Sequence, residues 1–170
     1  VRRTLKDLLD RVADTTTVSA STRLVHQQVE RVLVDHFGED CDLGSIDAEG
    51  ADDWRTYLGE LDLADATISK RVRLARQIFG QAVRWGWIDE NPMAGLRAGS
   101  EHNPDRWVYV DRQAIEQVLD NCPDQEWRAG FALARYAGLR CPSEAMLLRW
   151  GDVNWEKSRM LVRSPKTKGH

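Results

Sequence analysis

The 170 residues are 42% hydrophobic and 30% charged, a balance that excludes a disordered chain and describes a soluble, globular one with room for one domain or two small ones. The longest apolar runs, such as Phe131-Ala132-Leu133-Ala134, are far too short to cross a bilayer. A net charge of −3 argues against a nucleic-acid partner only if charge is spread evenly along the chain, and it is not.

Acids crowd one stretch: Asp35, Glu39, Asp40, Asp42, Asp47, Glu49, Asp52, Asp53, Glu60, Asp62 and Asp65, opposed there by Arg55 alone. The next stretch, 66–85, holds Lys70, Arg71, Arg73, Arg76 and Arg84 and no acid. Segregation of this kind lets a domain offer a basic face despite its negative total. Cys41, Cys122 and Cys141 are odd in number and lack CxxC spacing; they predict no metal framework and fit a reducing cytoplasm. Val1-Arg2-Arg3 runs straight into a polar, amphipathic segment, so no signal peptide is expected. The first residue is not methionine and the last are Lys168-Gly169-His170, which reads as a piece of a longer protein.

In chain order, Leu5, Leu8, Leu9 and Val12 predict a short amphipathic helix with Thr4 as its cap. A loop at 15–20 precedes a second helix, capped by Ser21, carrying Leu24, Val25, Val29, Val32 and Leu33, and ending near Phe37-Gly38. A third spans 47–58 with Trp54 and Leu58 inward. The fourth, about 66–85, repeats Ile68, Val72, Ala75, Phe79 and Ala82 along one stripe, and Gly86 supplies its left-handed stop. At 100° per residue the opposite face carries Lys70, Arg73, Gln77, Gln81 and Arg84. An ordinary solvated face and a phosphate-binding one are both open, but solvated helices usually mix signs at i, i+4 and this one does not.

Asn91-Pro92 breaks the helical pattern, and 97–106 reads as a linker between a helical domain at 1–96 and a second region at 107–170. There Asp111 caps a helix with Ile115, Val118 and Leu119, and 126–137 forms another, ended by Gly138. Pro142 opens a third running to Leu148. Residues 152–155 and 159–163 read as two short strands joined at 156–158, followed by a turn at 165–169.

Arg140 precedes the expected helix start at Pro142, where free backbone N–H groups favour an anion, and its guanidinium is a permanently charged fork that fits phosphate oxygens. It is also placed to pair with Glu144, and the two readings are compatible if Glu144 holds one edge while the other faces a ligand. Lys166, taken alone, is a solvated loop lysine.

Ala134-Arg135-Tyr136-Ala137-Gly138-Leu139-Arg140, then Ser143-Glu144, Leu148-Arg149-Trp150 and Asp152-Val153, resemble the block around the first catalytic arginine of the tyrosine recombinases, the phage-type integrases. Ser164-Pro165-Lys166-Thr167 is similar to the β-hairpin lysine that follows it, and 66–84 with Gly86 and Asn91-Pro92 resembles the family's helical core-binding domain. The resemblance implies a mainly α chain: a four-helix SAM-like bundle, then the opening part of a mixed α+β catalytic domain with three helices and a β-hairpin. It implies that Arg140, supported by Glu144, binds the scissile phosphate and that Lys166 protonates the leaving 5′ oxygen. Thr67, Ser69, Lys70, Arg73, Gln77 and Arg84 are the expected contacts to double-stranded DNA. It further implies a homotetramer on two DNA sites, a cytoplasmic, nucleoid-associated location, and no metal, cofactor or membrane.

The family's His/Lys-x-x-Arg box and nucleophilic tyrosine follow its arginine, whereas Tyr57, Tyr109 and Tyr136 all precede Arg140. These 170 residues are therefore expected to bind DNA without cutting it. Glu144 also stands four residues after Arg140, where many relatives place it three after. A DNA-binding regulator without chemistry would use the basic helix but give Arg140 and Lys166 no role; a helical protein-interaction module would use neither.

Overall fold

The computed structural model describes residues 2–99 and 107–167, and divides the chain into two compact units, Val1–Trp107 and Val108–His170. The first unit is built from α1 (Leu5–Thr15), α2 (Ala20–Phe37), α3 (Ala48–Glu60) and α4 (Asp65–Arg84). Each of the first three starts on a side-chain cap. Thr4 forms a reciprocal capping box with Asp7, and Asp47 accepts the Gly50 N–H at 2.9 Å. α2 is capped by Ser19, not Ser21: Ser19 Oγ takes the Thr22 N–H at 3.3 Å. Thr22 is the third helical residue from Ser19, the distance a cap's oxygen reaches, while Ser21 already lies inside the first turn.

The expected stripe on α4 is buried in full, and Ile78 joins it. It packs with Leu5 and Leu8 of α1, Val29 and Leu33 of α2, and Trp54 and Leu58 of α3 in one continuous core. Trp54 is fully enclosed, and its Nε1–H donates to the Val32 carbonyl at 3.1 Å, so burying the ring leaves no polar atom unsatisfied. Gly86 ends α4 at φ +68°, with Gly86 N–H to Val83 and Trp87 N–H to Ala82, the paired bonds of a Schellman stop. Trp85 and Trp87 then receive the guanidinium groups of Arg11 and Arg3: Arg11 lies 4.6 Å from the Trp85 ring and Arg3 lies 4.5 Å from Trp87.

After α4 the chain returns along the helix. Asn91 Nδ2 donates to the Arg76 carbonyl at 2.9 Å, and its Oδ1 accepts the Met93 N–H at 2.9 Å. The Arg76 guanidinium donates to the Met93 carbonyl at 3.2 Å and to that of Leu96. Met93 and Leu96 are buried and Ala98 packs on the core. Residues 100–106 of the stretch read as a linker lie outside the described residues.

The second unit begins with α5 (Arg112–Asp120), capped by Asp111, and α6 (Gln125–Tyr136), capped by Asp124, whose Oδ1 takes the Trp127 N–H at 2.9 Å. Gly138, at φ +67°, turns the chain out of α6. The α-helix expected at 142–148 does not form. Arg140 O takes the Glu144 N–H at 2.7 Å in a single turn, and a 3₁₀ turn at Ala145–Leu147 follows. The Glu144 side chain reaches back to the Arg140 N–H, and this local bond replaces the ladder a longer helix would need. The two strands are shorter than expected: β1 (Val153–Asn154) pairs antiparallel with β2 (Arg159–Met160) in the register Val153–Met160 and Asn154–Arg159. No described helix is long and apolar enough to cross a membrane.

Candidate functional site

The exposed side of α4 carries Lys70, Arg73, Gln77 and Arg84, with Thr67 and Gln81 half-buried. Asp65, in the first turn, is the helix's one acid. Two further arginines of the helix are occupied elsewhere: Arg76 clamps the returning chain, and Arg71 is half-buried with its Nε enclosed. The structure thus divides a run of five cations into those that build the unit and those that face outward, Lys70, Arg73 and Arg84. Arg73 Nη2 also donates to the Gly99 carbonyl at 3.4 Å. Ser69 departs from the expectation that it meets a duplex. It is buried beside Ile68, and a Cβ built on Gly99, at φ +77°, would stand 3.1 Å from its Oγ. The buried arc of α4 is one residue wider than its apolar stripe because the returning chain covers that edge.

In the second unit Glu144 is the centre of a compact polar cluster. Its carboxylate accepts the Arg140 backbone N–H at 2.9 Å and Arg140 Nη1 at 2.7 Å. Nη1 also donates to Ser164 Oγ at 3.0 Å. The Glu144 side chain is 8% exposed and that of Arg140 is 53% exposed. The carboxyl is held below the usual range, first by the Arg140 backbone N–H, then by the Ser164 hydroxyl and the guanidinium. Glu144 stays ionised and fixes one edge of the guanidinium. Nε and Nη2 have no partner among the described residues. A planar fork gripped on one side and open on the other can receive an oxyanion without reorganising. The helix mouth expected beside Arg140 is absent, since no α-helix starts at Pro142 and the Glu144 and Ala145 N–H groups are both taken by the Arg140 carbonyl.

Lys166 lies exposed in a 3₁₀ turn, Pro165–Thr167, and makes no hydrogen bond or ion pair among the described residues. The structure brings Arg140, Glu144 and Ser164 together; among the described residues no hydrogen bond or ion pair joins Lys166 to them. The sequence alone assigned no role to Ser164 or to Asp152. Asp152, whose side chain is 7% exposed, pairs with Arg163 Nη1 at 2.5 Å and accepts the Arg149 N–H at 3.0 Å. These partners hold its carboxyl below the usual range, Arg163 most strongly. No cluster of three His, Cys, Asp or Glu able to hold a metal occurs among the described residues.

Residues 4–99 match the phage integrase SAM-like domain. No curated protein matches the chain. Among solved structures, the chain is similar to the Tn1549 transposon integrase in complex with transposon right end DNA, at 21% identity and a TM-score of 0.75, over 91% of this chain and 50% of that one. It is also similar to the same integrase in complex with circular intermediate DNA, at 21% identity and TM-scores of 0.71 and 0.72, over 90% of this chain and 50% of the other. The likeness at this identity is one of fold, and the chain spans about half the length of these solved relatives.

Proposed function

The chain belongs to the phage integrase family through the SAM-like domain at residues 4–99, and on that premise we propose that it is the DNA-binding part of a tyrosine site-specific recombinase. Residues 1–96 act as the core-binding domain, 97–106 as a linker, and 107–170 as the opening part of the catalytic domain. The whole enzyme works as a homotetramer on two DNA sites in the nucleoid. The observation that carries this reading is the outward face of α4, where Lys70, Arg73, Gln77 and Arg84 stand together in an otherwise acidic unit. Thr67, half-buried beside them, completes the contact; Ser69 does not belong to it. The Tn1549 integrase, similar in fold, was solved bound to DNA, which supports the same partner here.

In the proposed reaction a tyrosine hydroxyl attacks the scissile phosphorus. The new P–O bond to tyrosine forms as the P–O5′ bond breaks, leaving a 3′-phosphotyrosyl link. The tyrosine proton passes to water, and the departing O5′ takes a proton from the Lys166 ammonium. Arg140 meets the charge that grows on the non-bridging oxygens, with Glu144 as its fixed support. One such preorganised donor is worth about 10²–10³ in rate. The tyrosine of this mechanism stands after the arginine, and residues 141–170 contain none.

The test is a salt titration of binding to a random-sequence duplex of about 30 base pairs, read by fluorescence anisotropy. Each phosphate contact contributes about 0.9 to the slope of log K against log salt. Replacing Lys70 and Arg84 by Ala is expected to flatten that slope by about 2. Equal slopes for the two proteins would remove α4 from the interface.

A further inference from the structure

We propose that Ser164 is a positioning residue that ties the Lys166 turn to the Arg140 guanidinium, so that the phosphate-binding group and the proton donor are set as one unit. The inference rests on the recombinase reading above. Lys166 is exposed and makes no bond of its own among the described residues, so its aim has to come from the backbone that carries it. That backbone is anchored immediately before the lysine. The Leu161 N–H donates to the Asp152 carbonyl at 2.9 Å, and Arg163 pairs with the buried Asp152 carboxylate at 2.5 Å. Ser164 then adds the link to the phosphate site: its Oγ accepts from Arg140 Nη1 at 3.0 Å, and its hydroxyl also supports the Glu144 carboxylate that grips the same guanidinium.

Between Ser164 and Lys166 stands Pro165 alone. Its ring holds φ near about −65°, which makes a stiff connection of what would otherwise be a free joint. A shift at Ser164 is therefore passed to the lysine rather than absorbed. Arg140 itself does not need the serine, because Glu144 already grips both its backbone N–H and its guanidinium. The strand end does not need it either, because Arg163 and Asp152 hold that. The bond's distinct consequence is the link between the two groups.

Sulfur at the bridging 5′ position separates the two roles. When the P–S bond breaks, the thiolate leaves without a proton, since a thiol is far more acidic than an alcohol. The full-length recombinase, with Ser164→Ala, Ser164→Thr and Lys166→Ala variants, is assayed for covalent adduct on a nicked suicide duplex, carrying either oxygen or sulfur at the scissile 5′ position. Ser164→Ala is expected to slow adduct formation on the oxygen substrate at least about tenfold, part of the ~10²–10⁴ a general acid supplies. The sulfur substrate should restore most of that loss, as it does for Lys166→Ala. Ser164→Thr, which keeps the hydroxyl, should stay within about threefold of wild type, and duplex affinity should not change in either Ser164 variant. A Ser164→Ala enzyme as fast as wild type on oxygen overturns the proposal, and so does one equally slow on both substrates. A wild type that forms no adduct on either substrate overturns the recombinase reading, and this proposal with it.

Discussion

The two units are held together by different means. In the first, four helices close on a core in which Leu5, Leu8, Leu33, Trp54, Leu58 and Phe79 are fully buried. In the second, the buried residues among those described are Ile115, Leu139, Ala145 and the acid Glu144, with the Asp152 carboxylate also covered, while Trp127, Trp150 and Trp155 stand exposed. An apolar groove of about 920 Å³ there is lined by Leu133, Tyr136, Leu148, Trp150 and Trp155 among others. Order around Arg140 comes from hydrogen bonds and ion pairs instead: Arg140 with Glu144 and Ser164, Arg163 with Asp152. The comparison teaches that a site can be locally well defined where the apolar core is thin. Directional bonds of short reach suffice to aim a guanidinium, but they do not supply the cooperative burial that makes a unit stable.

The largest expected effect tests the apolar side of that contrast. Trp54→Ala removes the biggest buried ring and its bond to Val32, and should destabilise the first unit by about 3–5 kcal/mol. Urea unfolding followed by far-UV circular dichroism measures it. A loss under about 1 kcal/mol would mean the core does not carry the unit.

A smaller effect, confined to the second unit, tests the polar side. Folding lowers the Glu144 pKa below its ordinary 4.5. The stabilisation this brings is therefore complete above about pH 4.5 and is lost as pH falls through the lower folded value. Carbon-13 titration of the carboxyl should place its midpoint below 4.5, and Glu144→Gln should flatten the acid limb of the unit's stability. A midpoint at or above the ordinary value would show that the Arg140 cluster does not persist in solution.

The smallest effect is the counterpart of the first. Trp155→Ala removes a ring as large as Trp54, but one that is 73% exposed and stacks on Trp150 at 6.4 Å between centroids. The expected change is within about 0.5 kcal/mol, read by the same urea titration with tryptophan fluorescence as the second probe. A cost near that of Trp54→Ala would erase the distinction between the units.

Local signals were the legible ones. Thr4 and Asp111 cap helices as their positions in the sequence require, and Gly86 and Gly138 stop them at positive φ. The α4 stripe was readable because a period of 3.6 sorts side chains onto faces without any knowledge of neighbours. Signals with two local solutions went astray. Ser21 read as the cap of α2, a role that Ser19 takes two residues earlier, and Pro142 suggested a helix start where a back-turned Glu144 bonded first.

The sequence by itself determined the helical first unit, the outward basic face of α4 and the pairing of Arg140 with Glu144, because each depends on residues within a few positions of one another. Only the tertiary structure decided that Ser69 is covered by the chain returning at Gly99, and that Arg76 is taken up by carbonyls at 93 and 96. It alone brought Ser164 to a guanidinium 24 residues away. Periodicity says which way a side chain leaves its helix. What it meets there is set by segments distant in sequence, whose approach depends on how the whole unit packs.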